Sequence, residues 1–202
     1  TLKLPFRPPY NWAALQQFLA KRLISPLEWL GETYYGRSFK NQHCQGQFTA
    51  EFVEHKHHFL VSIDIDQPRF LQPILSEIRR VLDLDANTAQ IEQHLTTQLQ
   101  GAIVLTQGLR LPGIWSVFEA GIRAVLGQQV SVTAAHNLVT QLVDELGEQD
   151  GERVYFPTPE VVANSELAFF KMPQARKNAL RNLAQFCADN PDCQQLDQWL
   201  LL

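Results

Sequence analysis

The chain has 202 residues, of which 45% are hydrophobic, and a formal net charge of −4 at pH 7. This composition is enough for a buried core in one or two domains, while no apolar run reaches the ~18 residues that span a bilayer. The negative charge argues against a general nucleic-acid binder, because affinity for the backbone comes from Lys and Arg that neutralise phosphates. Any such function must rest on a local site.

The first 85 residues predict an α+β domain. Apolar residues at a helical period follow Asn11, which is suited to cap a helix. Strict alternation of apolar and polar residues then predicts strands with one buried face, as in an antiparallel sheet. The predicted elements are a helix over residues 12–22, strands over 33–39, 46–54 and 58–66, and a helix over 70–82.

Beyond Asp83 the periodicity becomes helical throughout, which predicts an all-α domain. We therefore place a boundary near residues 83–87, with an α+β domain over 1–85 and a helical domain over 86–202. Thr158 and Pro159 are typical of an N-cap followed by proline in the first helical position. The predicted helices cover residues 88–99, 114–126, 132–146 and 173–187.

Residues 83–87 resemble the start of a calcium-binding loop but depart from it in two places. Thr88 stands where the loop needs glycine for its turn, and the twelfth position is His94 rather than glutamate. We interpret the segment as a helix cap at the domain junction. The three cysteines show no C-x-x-C spacing, which favours unpaired thiols in a reducing cytoplasm.

Two further polar clusters are explained more simply as solvated strand edges than as metal-binding or catalytic sites. On a strand, His55 and His57 would share a face and His58 would point away, so a four-ligand zinc site cannot be completed from them. Asp64 and Asp66 also share a strand face, but they lie on its polar side near the strand end. We expect solvated strand edges in both places, and no metal site.

The most informative segment lies between the predicted helices 114–126 and 132–146. There Gly127 is followed by Gln128 and Gln129, and Val130-Ser131 opens the next helix. The simplest interpretation is a polar turn between packed helices, although turns favour Gly, Pro, Asn, Asp and Ser over Gln. The alternative is a surface that contacts DNA. The N–H groups at the start of the second helix would bind a phosphate. A side chain of the turn would fill the gap left by an extruded base.

Six segments in order resemble the AlkA-type DNA-3-methyladenine glycosylases, a family of the helix-hairpin-helix glycosylase superfamily. The resemblance runs over almost the whole chain. Its segments are P-P-Y-N-W at 8–12, F-L-A-K-R at 18–22, Y-Y-G-R-S at 34–38, G-L-R-L-P-G at 108–113, R-A-V-L-G-Q-Q-V-S-V at 123–132 and F-P-T-P at 156–159.

This resemblance implies a TBP-like α+β domain followed by part of a helix-hairpin-helix glycosylase domain. It also implies hydrolysis of the N-glycosidic bond of 3-methyladenine and related purines in double-stranded DNA, after base flipping and without a cofactor, a metal or a membrane. Phe18 would line the base pocket, and Arg22, one helical turn further on, could reach it. Gln129 stands where the best-known members insert a leucine wedge, and its amide could bond the orphaned base. The residues implied to contact DNA are Gln128, Gln129, Val130 and Ser131.

The family's hairpin and catalytic aspartate, which follow this region, have no counterpart before Leu202. Asp189, Asp192 and Asp197 precede the expected hairpin and are not assigned that role. We therefore expect these 202 residues to be the amino-terminal part of such an enzyme and inactive alone, with an apolar surface left by truncation that could favour a non-physiological dimer. The start at Thr1 would suit a fusion to an Ada-type domain, and the resemblance implies a bacterial cytoplasmic protein associated with the nucleoid. A non-catalytic helix-turn-helix DNA-binding module and a protein-interaction domain remain alternatives.

Overall fold

The computed structural model describes residues 1–100 and 102–190. They form two compact units. The first comprises Thr1–Ala20, Glu28–Arg37 and His43–Gly113, and the second comprises Lys21–Leu27, Ser38–Gln42 and the described residues of 114–190. The first unit therefore extends well beyond the boundary near residue 85 that the sequence predicts. Asp192, Cys193, Asp197 and the last four residues lie outside the described residues.

The strands of the first unit are β1 Leu2–Pro5, β2 Glu28–Leu30, β3 Tyr34–Lys40, β4 Gln45–Val53 and β5 His58–Ile65, and its helices are α1 Trp12–Ala20, α2 Leu71–Val81 and α3 Thr88–Leu99. The strands form an antiparallel sheet of order β1-β5-β4-β3-β2, as the α+β prediction requires. Phe48 and Ala50 of β4 and Phe59 and Val61 of β5 are buried, and Ala50 pairs with Val61. One face of the sheet therefore packs against the core, as the alternation of apolar and polar residues predicts.

The expectation of a solvated strand edge at His55, His57 and His58 is wrong, because His55 and His57 lie in a turn and His58 is buried. β4 ends at Val53 and β5 begins at His58, with a single 3₁₀ turn between them. His57 has φ of 50°, because the chain must reverse within these few residues to pair the two strands. His58 is buried, and its Nδ1 lies 3.1 Å from the carbonyl oxygen of Lys56. Asp64 is exposed on β5, as expected.

Arg110 explains why the first unit continues past residue 85. This side chain is buried and lies 4.4 Å from the ring centre of Tyr10. Its guanidinium donates to the carbonyls of Asp83 at 2.8 Å, Ala86 at 3.0 Å and Pro9 at 2.7 Å, and also to that of Arg7. Segments on both sides of the predicted boundary are thereby fixed to one another.

The interpretation of residues 83–87 as a helix cap is confirmed. The side-chain oxygen of Asn87 accepts from the backbone N–H of Gln90, and α3 begins at Thr88. The predicted cap at Asn11 is confirmed as well, since its Oδ1 accepts from the N–H of Ala14 at 2.9 Å. Asp83 accepts from the N–H of Leu111 at 3.0 Å. Each of these side chains therefore accepts a hydrogen bond from the backbone N–H of another residue.

The second unit is mainly helical. Its elements are α4 Val117–Gly127, α5 Val132–Leu146, β6 Glu148–Asp150, β7 Arg153–Tyr155, α6 Pro159–Asn164 and α7 Gln174–Asp189. The predicted bounds of α5 agree with the structure. Helix α4 starts at Val117 instead of Ile114, because the Ser116 hydroxyl accepts from the N–H of Glu119 and caps the helix there. The β6–β7 hairpin is an addition to the predicted helices.

The core of this unit joins α4, α5, α6 and α7. Its fully buried members include Ile122 and Leu126 of α4, Leu142 of α5 and Leu180 of α7. Gly121 lets α7 approach closely, since a Cβ there would lie 2.8 Å from the Leu183 side chain. Within the described residues, no helix is long and apolar enough to cross a membrane. The core holds α4 and α5 in place on either side of the Gln-Gln segment.

Candidate nucleic-acid interface

Residues 128–131, which we call the Gln-Gln turn, join α4 to α5 and are exposed throughout. Gln128 has φ of −64° and ψ of 127°, so the chain leaves α4 in an extended conformation. Ser131 is also extended, with φ of −68° and ψ of 160°, and it is the N-cap of α5. The two amide side chains thus stand at the tip of a helix–turn–helix.

Gln129 adopts a left-handed backbone conformation, with φ of 58°. Residues other than glycine, asparagine and aspartate rarely take it, and it costs about 1–2 kcal/mol because Cβ crowds the following carbonyl oxygen. A glycine would meet the geometric need without that cost. A long amide side chain at such a position favours a role for the side chain itself, since strained residues cluster at functional sites.

Residues of α7 and α4 form hydrogen bonds with the backbone of Gln128 and thereby hold the turn in place. The Nη2 of Arg176, in the first turn of α7, donates to the carbonyl of Gln128 at 3.0 Å. The backbone N–H of Gln128 lies 3.4 Å from the carbonyl of Val125, which closes the end of α4. These contacts hold the residue that precedes Gln129, so the tip is supported from both sides.

The start of α5 is open to solvent beside this tip. Ser131 accepts from the N–H of Ala134 at 3.2 Å through its side chain, and Val132 and Thr133 are exposed. The first N–H groups of a helix have no partner within the helix, and the helix dipole makes this end favourable for an anion. The geometry therefore fits the backbone contact predicted for Val130 and Ser131.

A pocket of about 240 Å³ opens next to the turn, within the second unit. Among the described residues, the charged side chains that line this pocket are all basic, although the chain as a whole carries a net charge of −4. Apolar side chains from the turn and α5 form the remainder of the wall. We call it the cationic pocket, and its residues are Lys21, Arg22, Arg123, Gly127, Val130, Val132, Ala135, His136 and Val139.

Two side chains fix the segment that carries Lys21 and Arg22. Arg123 donates through Nη1 to the carbonyl of Arg22 at 3.1 Å, while its Nε and Nη2 bond Glu119 at 2.9 and 2.8 Å. His136 donates through Nε2 to the carbonyl of Leu23 at 2.8 Å. Glu119 is buried, and its carboxylate offsets the charge of Arg123.

The sequence-predicted site residues fall in different places. Arg22 lines the cationic pocket together with Val130, while Gln128, Gln129 and Ser131 are exposed in the adjoining turn. Phe18 belongs to α1 in the first unit and is 41% exposed. Among the described residues, no group of His, Cys, Asp and Glu could hold a metal ion.

The sequence interpretation missed Lys21, Arg123 and His136 as members of this site. Lys21 and Arg22 are neighbours, and their two positive charges were the one visible signal. The ion pair of Arg123 with Glu119 could have been predicted from its i, i+4 spacing. The contact of His136 with Leu23 joins residues 113 positions apart, and no local pattern announces it.

Comparison with known families decides the relationship. A family model described as AlkA N-terminal domain matches residues 1–116. The chain belongs to the AlkA family. The predicted resemblance is thereby confirmed, and the match ends close to Gly113, where the first compact unit ends.

The sequences of individual relatives support the same family relationship for this AlkA-family chain. It is 35% identical over 189 residues to "DNA-3-methyladenine glycosylase 2" of Escherichia coli K12, covering 90% of this chain and 65% of that protein. It is 27% identical over 196 residues to "Probable bifunctional transcriptional activator/DNA repair enzyme AlkA" of Mycobacterium tuberculosis H37Rv, covering 94% of this chain and 39% of that protein. The chain thus spans only part of the length of these relatives.

A solved structure shows the same fold. The "3-methyladenine dna-glycosylase from Archaeoglobus fulgidus" matches with a TM-score of 0.70 at 16% identity, over 92% of this chain and 67% of that one. At this identity the match concerns the fold alone. The α+β sheet and the helices of this AlkA-family chain therefore have an experimentally known counterpart.

Proposed function

We propose that this chain forms part of an enzyme that excises alkylated bases, 3-methyladenine and related purines, from double-stranded DNA. The observation that carries the proposal is the exposed Gln-Gln turn between α4 and α5, with Gln129 in a left-handed conformation at its tip. The names of the E. coli and M. tuberculosis relatives support it. The reaction is hydrolysis of the N-glycosidic bond after the damaged nucleotide has been flipped out of the stack.

In this proposal Gln129 enters the duplex and fills the space that the flipped base leaves. Its amide bonds the orphaned partner base, in place of the apolar contact that a leucine would make. Gln128, Val130 and Ser131 contact the backbone, where the first N–H groups of α5 face a phosphate. The support is their shared exposure on one turn.

We further propose Phe18 and Arg22 as contacts of the flipped nucleotide. The exposed ring of Phe18 offers a face on which a positively charged alkylated purine stacks well. Such a base is already a good leaving group, so the enzyme must mainly extrude it, hold it and stabilise the developing oxocarbenium ion with a carboxylate. We assign that carboxylate to no residue of this chain.

The 202 residues alone are proposed to be inactive as a glycosylase. They span 65% of the E. coli relative and contain neither the hairpin motif nor the aspartate that the family resemblance requires. Release of 3-methyladenine from methylated DNA by this chain, measured by chromatography, would refute the proposal. The unchanged background rate is the expected result.

The proposal places the protein on the bacterial nucleoid, with alkylated duplex DNA as its partner. Self-association is a secondary expectation. Val104 is 98% exposed and Leu111 is 85% exposed. A contiguous apolar patch that includes such side chains would favour contact between copies. Sedimentation equilibrium of the chain would show a dimer if this surface is used.

A non-catalytic regulatory module is the second candidate, and the exposure of the turn and of the first residues of α5 favours it. Such a module would bind a preferred duplex sequence with strong salt dependence. Fluorescence anisotropy with undamaged duplexes of several sequences and with an abasic duplex separates the possibilities. The proposal predicts preference for the abasic duplex and no sequence preference. Preference for one undamaged sequence supports the regulatory module, and no binding at all supports a protein-interaction domain.

A further inference from the structure

We propose that Arg176 is a positioning residue that holds the Gln-Gln turn in the conformation in which Gln129 meets DNA. This inference rests on the proposed function and deepens it, because it identifies what orients the side chain that enters the duplex. Arg176 lies in the first turn of α7, and its Nη2 donates to the carbonyl of Gln128 at 3.0 Å. The bond joins residues that are 48 positions apart.

The backbone angles of the turn correspond to one of two closely related turn types. Gln128 has φ of −64° and ψ of 127°, and Gln129 has φ of 58°. These angles resemble those of the two central residues of a type II β-turn, in which the second residue needs a positive φ. A type I turn has a negative φ at both residues. Rotation of the single peptide group between the two residues converts one type into the other.

The amino acids of this turn favour type I. Glycine or asparagine is usual at the position of Gln129 in a type II turn, whereas type I accepts most residues. The left-handed conformation lowers the population of a residue such as glutamine by roughly 5- to 30-fold. A specific contact must therefore hold the peptide group in the type II orientation.

The hydrogen bond from Arg176 provides that contact. Because a peptide group is planar and trans, its carbonyl and N–H point in opposite directions, and rotation would turn the Gln128 carbonyl away from the guanidinium. A hydrogen bond from a charged donor is roughly twice as strong as one between neutral groups, so it offsets the strain at Gln129. Among the described residues, the N–H of Gln129 has no acceptor, and the bond to the carbonyl is therefore the one that orients this peptide group.

The orientation of this peptide group also sets the direction of the Gln129 side chain. A change of φ from a positive to a negative value rotates the Cα–Cβ bond of Gln129 relative to the preceding peptide group. It would also bring the Gln128 carbonyl to the side where the Gln129 N–H now lies. Under the proposed function, Arg176 thus acts through Gln129, and its loss should weaken the recognition of abasic DNA more than the general attraction to a duplex.

The conformation of the turn can be measured directly by NMR. A type II turn gives a strong nuclear Overhauser effect between the Hα of Gln128 and the N–H proton of Gln129, and a type I turn gives a weak one. We expect a strong effect in the wild type and a weak one in Arg176→Met. The double variant Arg176→Met, Gln129→Gly should regain the strong effect, because glycine adopts a positive φ without support.

A neighbouring lysine supplies the matched control. Lys177→Met removes one positive charge from the same turn of α7 and should keep the strong effect. A strong effect in Arg176→Met overturns the inference, and so does a weak one in Lys177→Met or in the double variant with Gln129→Gly.

Fluorescence anisotropy measures whether this conformation matters for DNA. The readout is the ratio of Kd for an undamaged duplex to Kd for an abasic duplex, because the loss of a charge weakens both alike. In Arg176→Met this ratio should fall by about fivefold, as far as in Gln129→Ala, whereas Lys177→Met should leave it unchanged. A ratio in Arg176→Met equal to that of the wild type overturns the positioning role.

The two proposals fail in distinguishable ways. If the wild type binds both duplexes equally while the Overhauser effect still depends on Arg176, the account of the turn stands and the proposed function fails. If the wild type prefers abasic DNA while the Overhauser effect is the same without Arg176, the proposed function stands and this inference fails. A circular-dichroism melt of each variant establishes that the substitutions leave the fold intact.

Discussion

Replacing Gln129 by glycine or by alanine separates its backbone role from its side-chain role. At φ of 58°, Gln129 pays a conformational penalty of about 1–2 kcal/mol that glycine would avoid. Glycine also gives the unfolded chain more freedom, at a cost of about 0.4–1 kcal/mol. Gln129→Gly should therefore stabilise the protein by about 0.5–1 kcal/mol, which corresponds to a rise in Tm of about 2 °C at this size. Alanine keeps the penalty, so Gln129→Ala should leave Tm nearly unchanged.

Binding to abasic DNA should respond differently. Both variants lose the amide that would bond the orphaned base, which removes about 1 kcal/mol, or roughly a fivefold rise in Kd. Affinity for an undamaged duplex should change little in either variant. Gln129→Gly would thus combine higher stability with weaker binding to abasic DNA, as expected where a strained residue serves function.

Two measurements on the same preparations test this argument. Thermal unfolding followed by circular dichroism gives the change in stability, and fluorescence anisotropy gives Kd for abasic and undamaged duplexes. A lower Tm in Gln129→Gly would refute the account of backbone strain. Unchanged affinity for abasic DNA in both variants would return Gln129 to the status of an ordinary turn residue.

Three further predictions follow from single contacts. Ser131→Ala should destabilise the protein by about 1 kcal/mol in chemical denaturation, because α5 loses its N-cap bond, while Ser131→Asp should restore the cap. Arg110→Met should destabilise it by about 3 kcal/mol, since buried carbonyls lose their donor; a change below 1 kcal/mol would contradict this role. The hydrogen bond from Arg79 lowers the pKa of Asp85 below its ordinary value, so Arg79→Gln should raise that pKa in an NMR titration. The sign follows from linkage, because this pair stabilises the fold above the ordinary pKa of Asp85 and ceases to do so as the pH falls through the lowered value.

Much of the fold could be predicted from the sequence because its signals are local. Period-two alternation identified β4 and β5 within one residue at each end, and the apolar stripe of α5 gave its bounds. The short strands β1 and β2 carry too few residues for a pattern. His55 and His57 were expected at a solvated strand edge, because local composition does not show where one antiparallel strand ends and the chain turns back.

The domain boundary could not be predicted for a related reason. The periodicity changes near Asp83, but Arg110 reaches back to Pro9 and Ala86 and makes the intervening chain part of the first unit. Such a contact spans about a hundred residues and leaves no mark in local composition. The candidate site likewise has one part that the sequence reveals and one part that depends on distant contacts. The turn was visible in the sequence, whereas the pocket beside it depends on His136 and Arg123 meeting the segment around Arg22.

The most direct test of the central claim is whether Gln129 enters the duplex. A 2-aminopurine placed opposite an abasic site reports unstacking through an increase in its fluorescence. The account predicts an increase on binding of the wild-type chain, and little or no increase with saturating Gln129→Ala. An equal increase with both proteins, or none with the wild type while anisotropy shows it bound, would contradict the account.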